Sequence, residues 1–149
     1  MLNIKDMEIK EIQNKISEAY DLSARDIGQS VFYRDFDHIP YDYDSVARKS
    51  NYEQGITFQK NEGGYVRYGD NIMNLEKLGL KFEIVDGYGG EGEGDDYWGV
   101  CKLSDSNGNE LCFKLSGWYA SHVGAECDSP EDWTLVKEVE VITKEYQPV

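Results

Sequence analysis

Residues 80–118, LKFEIVDGYGGEGEGDDYWGVCKLSDSNGNELCFKLSGW, decide the fold. Leu80, Phe82 and Ile84 alternate with charged residues, and this period of two predicts a strand with one buried face. Residues 97–103 form a run that is apolar on both faces, and residues 110–118 alternate again. The stretch therefore predicts three strands of an antiparallel meander, which we expect to continue to residue 146.

An Asn-Gly pair at 107–108 predicts the hairpin between the second and third of these strands, because both residues readily adopt the left-handed backbone of a type I′ turn. Two registers are open at this point. A two-residue turn pairs Cys101 with Lys114, whereas a longer loop over 104–109 pairs Cys101 with Cys112.

The end of the chain predicts one more strand. Over residues 133–146, Trp133, Leu135, Val139 and Val141 share one parity, and charged residues occupy most of the other. This alternation is typical of a long strand.

Two helices are predicted ahead of the sheet. The isoleucines of residues 6–20 recur at spacings of three and four with charged residues between them, which indicates an amphipathic helix that packs on the sheet. Ser23 followed by Asp26 predicts the start of a second helix, since a hydroxyl and a first-turn carboxylate both satisfy free amides there.

The middle of the chain predicts a third helix and a second hairpin. Asp70 is a candidate N-cap for a helix to Leu78, with Gly79 as its left-handed stop. Residues 56–60 and 65–68 flank a glycine-containing turn. Without repeats or linkers, the whole chain, residues 1–149, is interpreted as a single α+β domain, in which the meander packs against the N-terminal amphipathic helix.

The charge of the chain limits its partners. It carries 29 acidic and 15 basic residues, a formal net charge of −14, which repels phosphates and membranes and attracts basic protein surfaces. No apolar run reaches the roughly 18 residues of a membrane-spanning helix, and the N-terminus lacks the features of a signal peptide. We expect a cytoplasmic protein with reduced cysteines that contacts neither nucleic acid nor membrane directly.

Two segments combine carboxylates with residues suited to protein contact. Residues 31–44, VFYRDFDHIPYDYD, place aspartates beside tyrosines, which give contact area at low entropic cost. Residues 87–96, GYGGEGEGDD, place carboxylates among glycines. The plainer interpretation of residues 31–44 is an irregular loop at the core edge, and that of residues 87–96 is a flexible hairpin tip. The candidate partner-binding residues are Asp35, Asp37, Tyr41, Asp42, Tyr43, Asp44, Glu91, Glu93, Asp95 and Asp96.

The glycine-rich segment does not match a phosphate-binding loop, and calcium is chemically more compatible with it because hard cations bind carboxylate and carbonyl oxygens. Its carboxylates repel a phosphate, and it follows a strand without opening a helix, which excludes the dinucleotide-binding and P-loop patterns. Its spacing also departs from the ligand order of calcium loops. No cofactor and no metal site is predicted.

A different class of function is a small ligand-binding domain or enzyme with an aromatic pocket at the open end of the sheet. The residues that would line this pocket are Trp98, Trp118, Tyr119, His122 and Glu126. Cys127 lies close in sequence to a histidine and a carboxylate, but no nucleophile motif surrounds it, so we expect no enzymatic activity. A structural, oligomerising component is a third class.

The strings GGEGEGDDYWGV (residues 89–100) and SGWYASHVGAE (residues 116–126) resemble small acidic proteins of phages and mobile elements. In such proteins a glycine/glutamate loop precedes an aromatic strand. The resemblance carries over no catalytic residue, and it implies the class of anti-CRISPR and DNA-mimic inhibitors. The expected function is that of an acidic, phage-encoded inhibitor that binds a basic nucleic-acid-binding protein of the host, such as a CRISPR effector or nuclease.

Overall fold

The structure is a computed structural model of the chain, and it describes residues 1–36, 52–60, 70–89, 96–120, 124–141 and 144–149. These residues form two helices and seven strands. They are α1 (Ile9–Ala19), α2 (Ala24–Tyr33), β1 (Ile56–Gln59), β2 (Ile72–Leu75), β3 (Leu80–Tyr88), β4 (Asp96–Ser104), β5 (Glu110–Ala120), β6 (Gly124–Cys127) and β7 (Thr134–Val136). The predicted α+β class is confirmed, since N-terminal helices precede an antiparallel sheet.

The described strands form one sheet. β1 to β6 lie side by side in chain order, and every neighbouring pair is antiparallel. β7 also pairs with β5, and it lies on the same edge as β6 but opposite residues 112–114. Because directly opposed residues of antiparallel strands point to the same side, these pairings fix which side chains share a face.

One face of the sheet forms the core. Phe82, Leu103 and Phe113 are fully buried there with the apolar residues of both helices. α2 approaches β4 closely, because a Cβ atom added at Gly99 would lie 2.2 Å from the carbonyl oxygen of Val31. Along β4 and β5 the residues of the opposite face are half-buried or exposed. We call this second surface the open face.

α1 begins at Ile9 and not at Asp6 as predicted. Asp6 has a φ of +63°, which a right-handed helix excludes. Ile12 and Ile16 are buried, and Gln13 between them donates through Nε2 to the carbonyl oxygen of Glu131 at 2.9 Å. The helix therefore buries two of the predicted isoleucines and one polar residue whose amide is hydrogen-bonded to the C-terminal region.

α2 begins as predicted. The amide of Asp26 donates to Oγ of Ser23 at 3.1 Å, which satisfies one of the free amides at the helix start. The helix ends at Tyr33, and the C-cap residue that follows it, Arg34, has a left-handed φ of +61°. The amide of Phe36 then donates to the carbonyl oxygen of Asp70 at 2.8 Å and joins the chain to the segment before β2.

The predicted helix over 70–78 is wrong. β2 occupies the middle of this stretch and pairs with β1 and β3. Residues 76–79 form the hairpin turn that pairs Leu75 with Leu80, and Gly79 has a left-handed φ of +66°. A helix stop and this turn share one local signal, because both need a left-handed glycine after a single turn of helical backbone. The pairing of β2 with both β1 and β3 selects the hairpin turn over the helix.

The β4–β5 hairpin is present, but both predicted registers are wrong. Cys101 pairs with Phe113, and the loop spans residues 105–109. Asp105 accounts for the difference. Its Oδ1 accepts from two amides inside the loop, both at 2.9 Å, and its Oδ2 accepts from the amide of Ile4, also at 2.9 Å. The carboxylate thus stabilises a loop of intermediate length and joins it to the N-terminus.

The same hydrogen bonds set the ionisation of Asp105, whose side chain is only 8% exposed. Burial acts to raise its pKa, but hydrogen bonds from the Asn109 side chain and from three backbone amides outweigh burial and lower the pKa to about 2. The folded loop therefore favours the ionised form of the Asp105 carboxylate.

The predicted long C-terminal strand is wrong for the described residues. β7 ends at Val136, and residues 137–141 have no regular secondary structure. Trp133 is 4% exposed, whereas Leu135 is 60% and Val139 66% exposed. Val136 lies opposite Cys112, and β5 begins only two residues away at Glu110, so a strand that continued to residue 146 would run past the end of its partner.

β1 occupies most of the predicted run at residues 56–60 and pairs with β2. The other predicted arm of that hairpin, residues 65–68, lies outside the described residues.

Candidate partner-binding site

One end of the sheet gathers the points at which both predicted partner-binding segments join the fold. Here β3 ends, β4 begins and α2 ends. Nη2 of Arg34 donates to the carbonyl oxygen of Gly89 at 2.9 Å, and the guanidinium lies 4.6 Å from the centre of the Tyr97 ring. This contact joins the start of the 35–44 segment to the stem of the 87–96 segment. We call this region the α2 end.

Aromatic residues hold the last turn of α2 on three strands. The Phe32 ring lies 4.7 Å from that of Tyr97 in β4, and Tyr97 stacks on Tyr119 of β5 at 6.4 Å. The hydroxyl of Tyr33 donates to the carbonyl oxygen of Ala125 in β6 at 2.8 Å. The α2 end is therefore firmly packed against β4, β5 and β6.

Two of the ten predicted partner-binding residues, Asp35 and Asp96, belong to the described part of the chain. The others lie outside the described residues; they are Asp37, Tyr41, Asp42, Tyr43, Asp44, Glu91, Glu93 and Asp95.

Asp35 is engaged within the fold. Its side chain is half-buried, and its Oδ1 accepts from the amide of Asp70 at 3.2 Å. This bond lies beside the Phe36–Asp70 bond, so the carboxylate helps to fix the chain where it leaves α2.

Asp96 is exposed and belongs to a row of three residues on the open face. It is the first residue of β4 and lies opposite Trp118 of β5, which in turn lies opposite Glu126 of β6. Directly opposed residues share a face, so Trp118 has an acidic residue beside it on each neighbouring strand. Asp96 and Glu126 are both exposed, and Trp118 is 39% exposed.

The predicted aromatic pocket is not assembled by its described members. Trp98, Trp118 and Glu126 share the open face, because Trp98 and Asp96 alternate on one strand. Tyr119 belongs to the core face, where it stacks on Tyr97. His122 lies outside the described residues.

Sequence reasoning missed two residues of the open face. Tyr88 lies opposite Trp98, and their rings stack with centroids 6.0 Å apart and planes at 19°. Nζ of Lys114 lies 4.5 Å from the centre of the same indole. The register of the β4–β5 hairpin would have revealed Lys114, since that register sets which residue lies diagonal to Trp98.

The charges of the open face are distributed unevenly. The row nearest the α2 end contains Asp96 and Glu126, whereas Lys81 and Lys102 lie further along the strands. Lys81 also pairs with Glu83 at 3.4 Å. Of the described carboxylates on this face, the two beside Trp118 lie nearest the α2 end.

The three cysteines are free thiols. Burial raises the pKa of Cys127 to about 11, which the nearby carboxylates of Asp128 and Glu131 reinforce. A thiol with this pKa is almost entirely protonated at neutral pH, and the thiolate is the nucleophilic form. The environment of Cys127 therefore does not favour a thiol mechanism.

In the described ranges, no group of three or more histidine, cysteine, aspartate or glutamate side chains is arranged to hold a metal ion. A search of the same ranges found no helix that is both long and apolar enough to cross a membrane.

Comparisons of the chain with protein-family models, with curated proteins and with solved structures found no match.

Proposed function

We propose that this protein is a non-enzymatic, cytoplasmic inhibitor that occupies the basic nucleic-acid-binding surface of another protein. Its carboxylates stand in for phosphates and pair with arginine and lysine side chains of the target. The proposed target is a host defence protein such as a CRISPR effector or nuclease, and the proposed source of the inhibitor is a phage.

The observation that carries the proposal is the contact between Arg34 and Gly89, at 2.9 Å. It joins the residue that precedes the 35–44 segment to Gly89 of the 87–96 segment. Residues 35–44 contain four aspartates, and residues 91–96 contain four more carboxylates. With a net charge of −14, the seven carboxylates of these segments other than Asp35, which is engaged within the fold, favour approach to a basic surface.

A DNA-displacement assay tests the proposal. Fluorescent DNA is bound to guide-loaded CRISPR effectors and to defence nucleases, the protein is titrated in, and fluorescence anisotropy reports the DNA that remains bound. We expect displacement at low ionic strength. The concentration for half-displacement should rise at least about tenfold as salt increases from roughly 50 to roughly 300 mM, because exposed charges are then screened.

Two triple variants distinguish the effect of where the negative charge lies from the effect of how much there is. Each changes the net charge by the same amount, from −14 to −14 + 3 = −11. The loop variant is E91Q/E93Q/D95N, and the control variant is E138Q/E140Q/E145Q, whose residues are exposed in the C-terminal segment. The loop variant should displace DNA roughly tenfold less well, and the control should stay within about twofold of the parent. Equal losses in both variants, or no displacement from any target at low salt, would contradict the proposal.

A further inference from the structure

The row formed by Asp96, Trp118 and Glu126 has the composition of a receptor for a cation. An indole is the best aromatic partner for a positive charge, and carboxylates on both sides of it add direct ion pairing. Ala120, the last residue of β5, and Gly124, the first of β6, come next on the same face; they are small and lie opposite each other. Trp118 therefore has a carboxylate residue on each flanking strand, and the described residues that follow it on this face of β5 and β6 are small.

The chain places its own cations on aromatic rings elsewhere. Arg34 lies 4.6 Å from the centre of the Tyr97 ring, and Lys114 lies 4.5 Å from that of Trp98. In the described part of the chain, no lysine or arginine stacks on Trp118, and neither carboxylate of the row takes part in an ion pair. The row thus has the groups that hold a cation but contains no cation of its own.

We propose that Asp96, Trp118 and Glu126 bind an arginine side chain of the basic partner. This inference rests on the proposed function and names the contact that such a partner makes. A guanidinium is planar and can stack on the indole while its N–H groups point toward carboxylates at its edges. A lysine ammonium is a compact, strongly hydrated charge that gains less from the flat ring, so arginine is the preferred occupant. A base of a nucleic acid could also stack on an indole, but its phosphates would meet the two carboxylates and the net charge of −14.

The test uses short peptides as probes and the indole N–H signals of ¹⁵N-labelled protein as the readout. Hexa-arginine, hexa-lysine and uncharged hexa-citrulline are titrated in, and the Trp118 signal is assigned from a W118L variant. Trp133 supplies an internal reference, because its Nε1 donates to the carbonyl oxygen of Ala24 in the core at 3.1 Å. We expect hexa-arginine to shift the Trp118 signal and leave the Trp133 signal in place. Its affinity should exceed that of hexa-lysine roughly threefold, and hexa-citrulline should have no effect.

Matched variants identify the groups responsible. D96N/E126Q keeps the shape of the row and should weaken hexa-arginine binding roughly fivefold, because two exposed ion pairs are lost. E138Q/E140Q removes the same charge from the C-terminal segment and should change the affinity less than about twofold. Equal weakening in the two variants, unchanged affinity in W118L, or equal binding of hexa-citrulline would overturn the inference.

The two proposals can fail separately. If hexa-arginine leaves the Trp118 signal unmoved while E91Q/E93Q/D95N still loses DNA displacement, the arginine site is wrong and the proposed function stands. If the peptide binds as expected but no target releases DNA, the site stands and the proposed function is wrong.

Discussion

The Trp133→Phe substitution tests how much the indole of Trp133 contributes to the stability with which the C-terminal region is held on the core. Trp133 stacks on Phe113 with centroids 4.5 Å apart, meets Phe82 edge to face at 6.0 Å, and donates to the carbonyl oxygen of Ala24 at 3.1 Å. Phenylalanine keeps an aromatic ring but loses the N–H donor and part of the buried area. The lost hydrogen bond costs about 1 kcal/mol, and the smaller ring costs about 1 kcal/mol more.

The free energy of unfolding should therefore fall by about 2 kcal/mol, which lowers the melting temperature by roughly 4–8 °C in a chain of this size. Urea unfolding followed by far-ultraviolet circular dichroism is the suitable assay, because the substitution removes a fluorophore. Leu135→Ala is the matched control. Leu135 is 60% exposed, so its truncation should change stability by less than about 0.5 kcal/mol.

Leu135 lies opposite the core residue Phe113 but is 60% exposed, whereas Trp133 is 4% exposed. A strand that buried both side chains would give the two substitutions similar costs. Equal losses of stability in the two variants would therefore refute the structure described for this region. A cost of Trp133→Phe within experimental error of zero would refute the burial and hydrogen bonding assigned to the indole.

Three further predictions concern Asp105, Gly108 and Gly99. The pKa of Asp105 is about 2, below its usual value of 3.8, so its contribution to stability is complete above about pH 4 and is lost as pH falls toward about 2. The difference in melting temperature between the parent and Asp105→Asn should be largest near neutral pH and shrink across that window; a constant difference would contradict this. Gly108 has a φ of +86° and open space around it, so Gly108→Ala should cost about 1 kcal/mol and Gly108→Asn less. At Gly99 a Cβ would meet the backbone of α2; there alanine should cost roughly 1–3 kcal/mol and asparagine more, as urea unfolding would show.

Local patterns predicted the parts of the fold whose causes are local. The cap at Ser23 depends on a residue three positions later, and the alternation from Leu80 to Ile84 depends on one strand having one buried face. The hairpin register was not predictable in this way, because the Asp105 carboxylate that sets the loop also accepts from Ile4, which lies 101 residues away in sequence. The helix predicted over 70–78 failed for a related reason. Its glycine signal is local, whereas the two strands that pair with β2 are not.

The candidate site shows the same division. The sequence identified Asp96, Trp118 and Glu126 separately, as members of two different predicted sites. Only the pairing of β5 with both β4 and β6 reveals that they form one row. Charge counts could not show this, since a count contains no information about which face a carboxylate shares with an aromatic ring.

A single irregularity in β3 connects the α2 end with the open face. Alternation from Phe82 and Ile84 would put Tyr88 on the core face, but the register shifts between Ile84 and Asp86, as a β-bulge does. Beyond the shift, Gly87 lies opposite Gly99 on the core face, where a Cβ would lie 2.3 Å from Cδ of Arg34. The same shift turns Tyr88 outward onto Trp98. One inserted residue thus makes room for the arginine that joins the two acidic segments and adds a second ring to the exposed aromatic surface beside Asp96. Any rearrangement that removed the bulge would disturb both surfaces together, because a one-residue slip exchanges the faces of every residue after it.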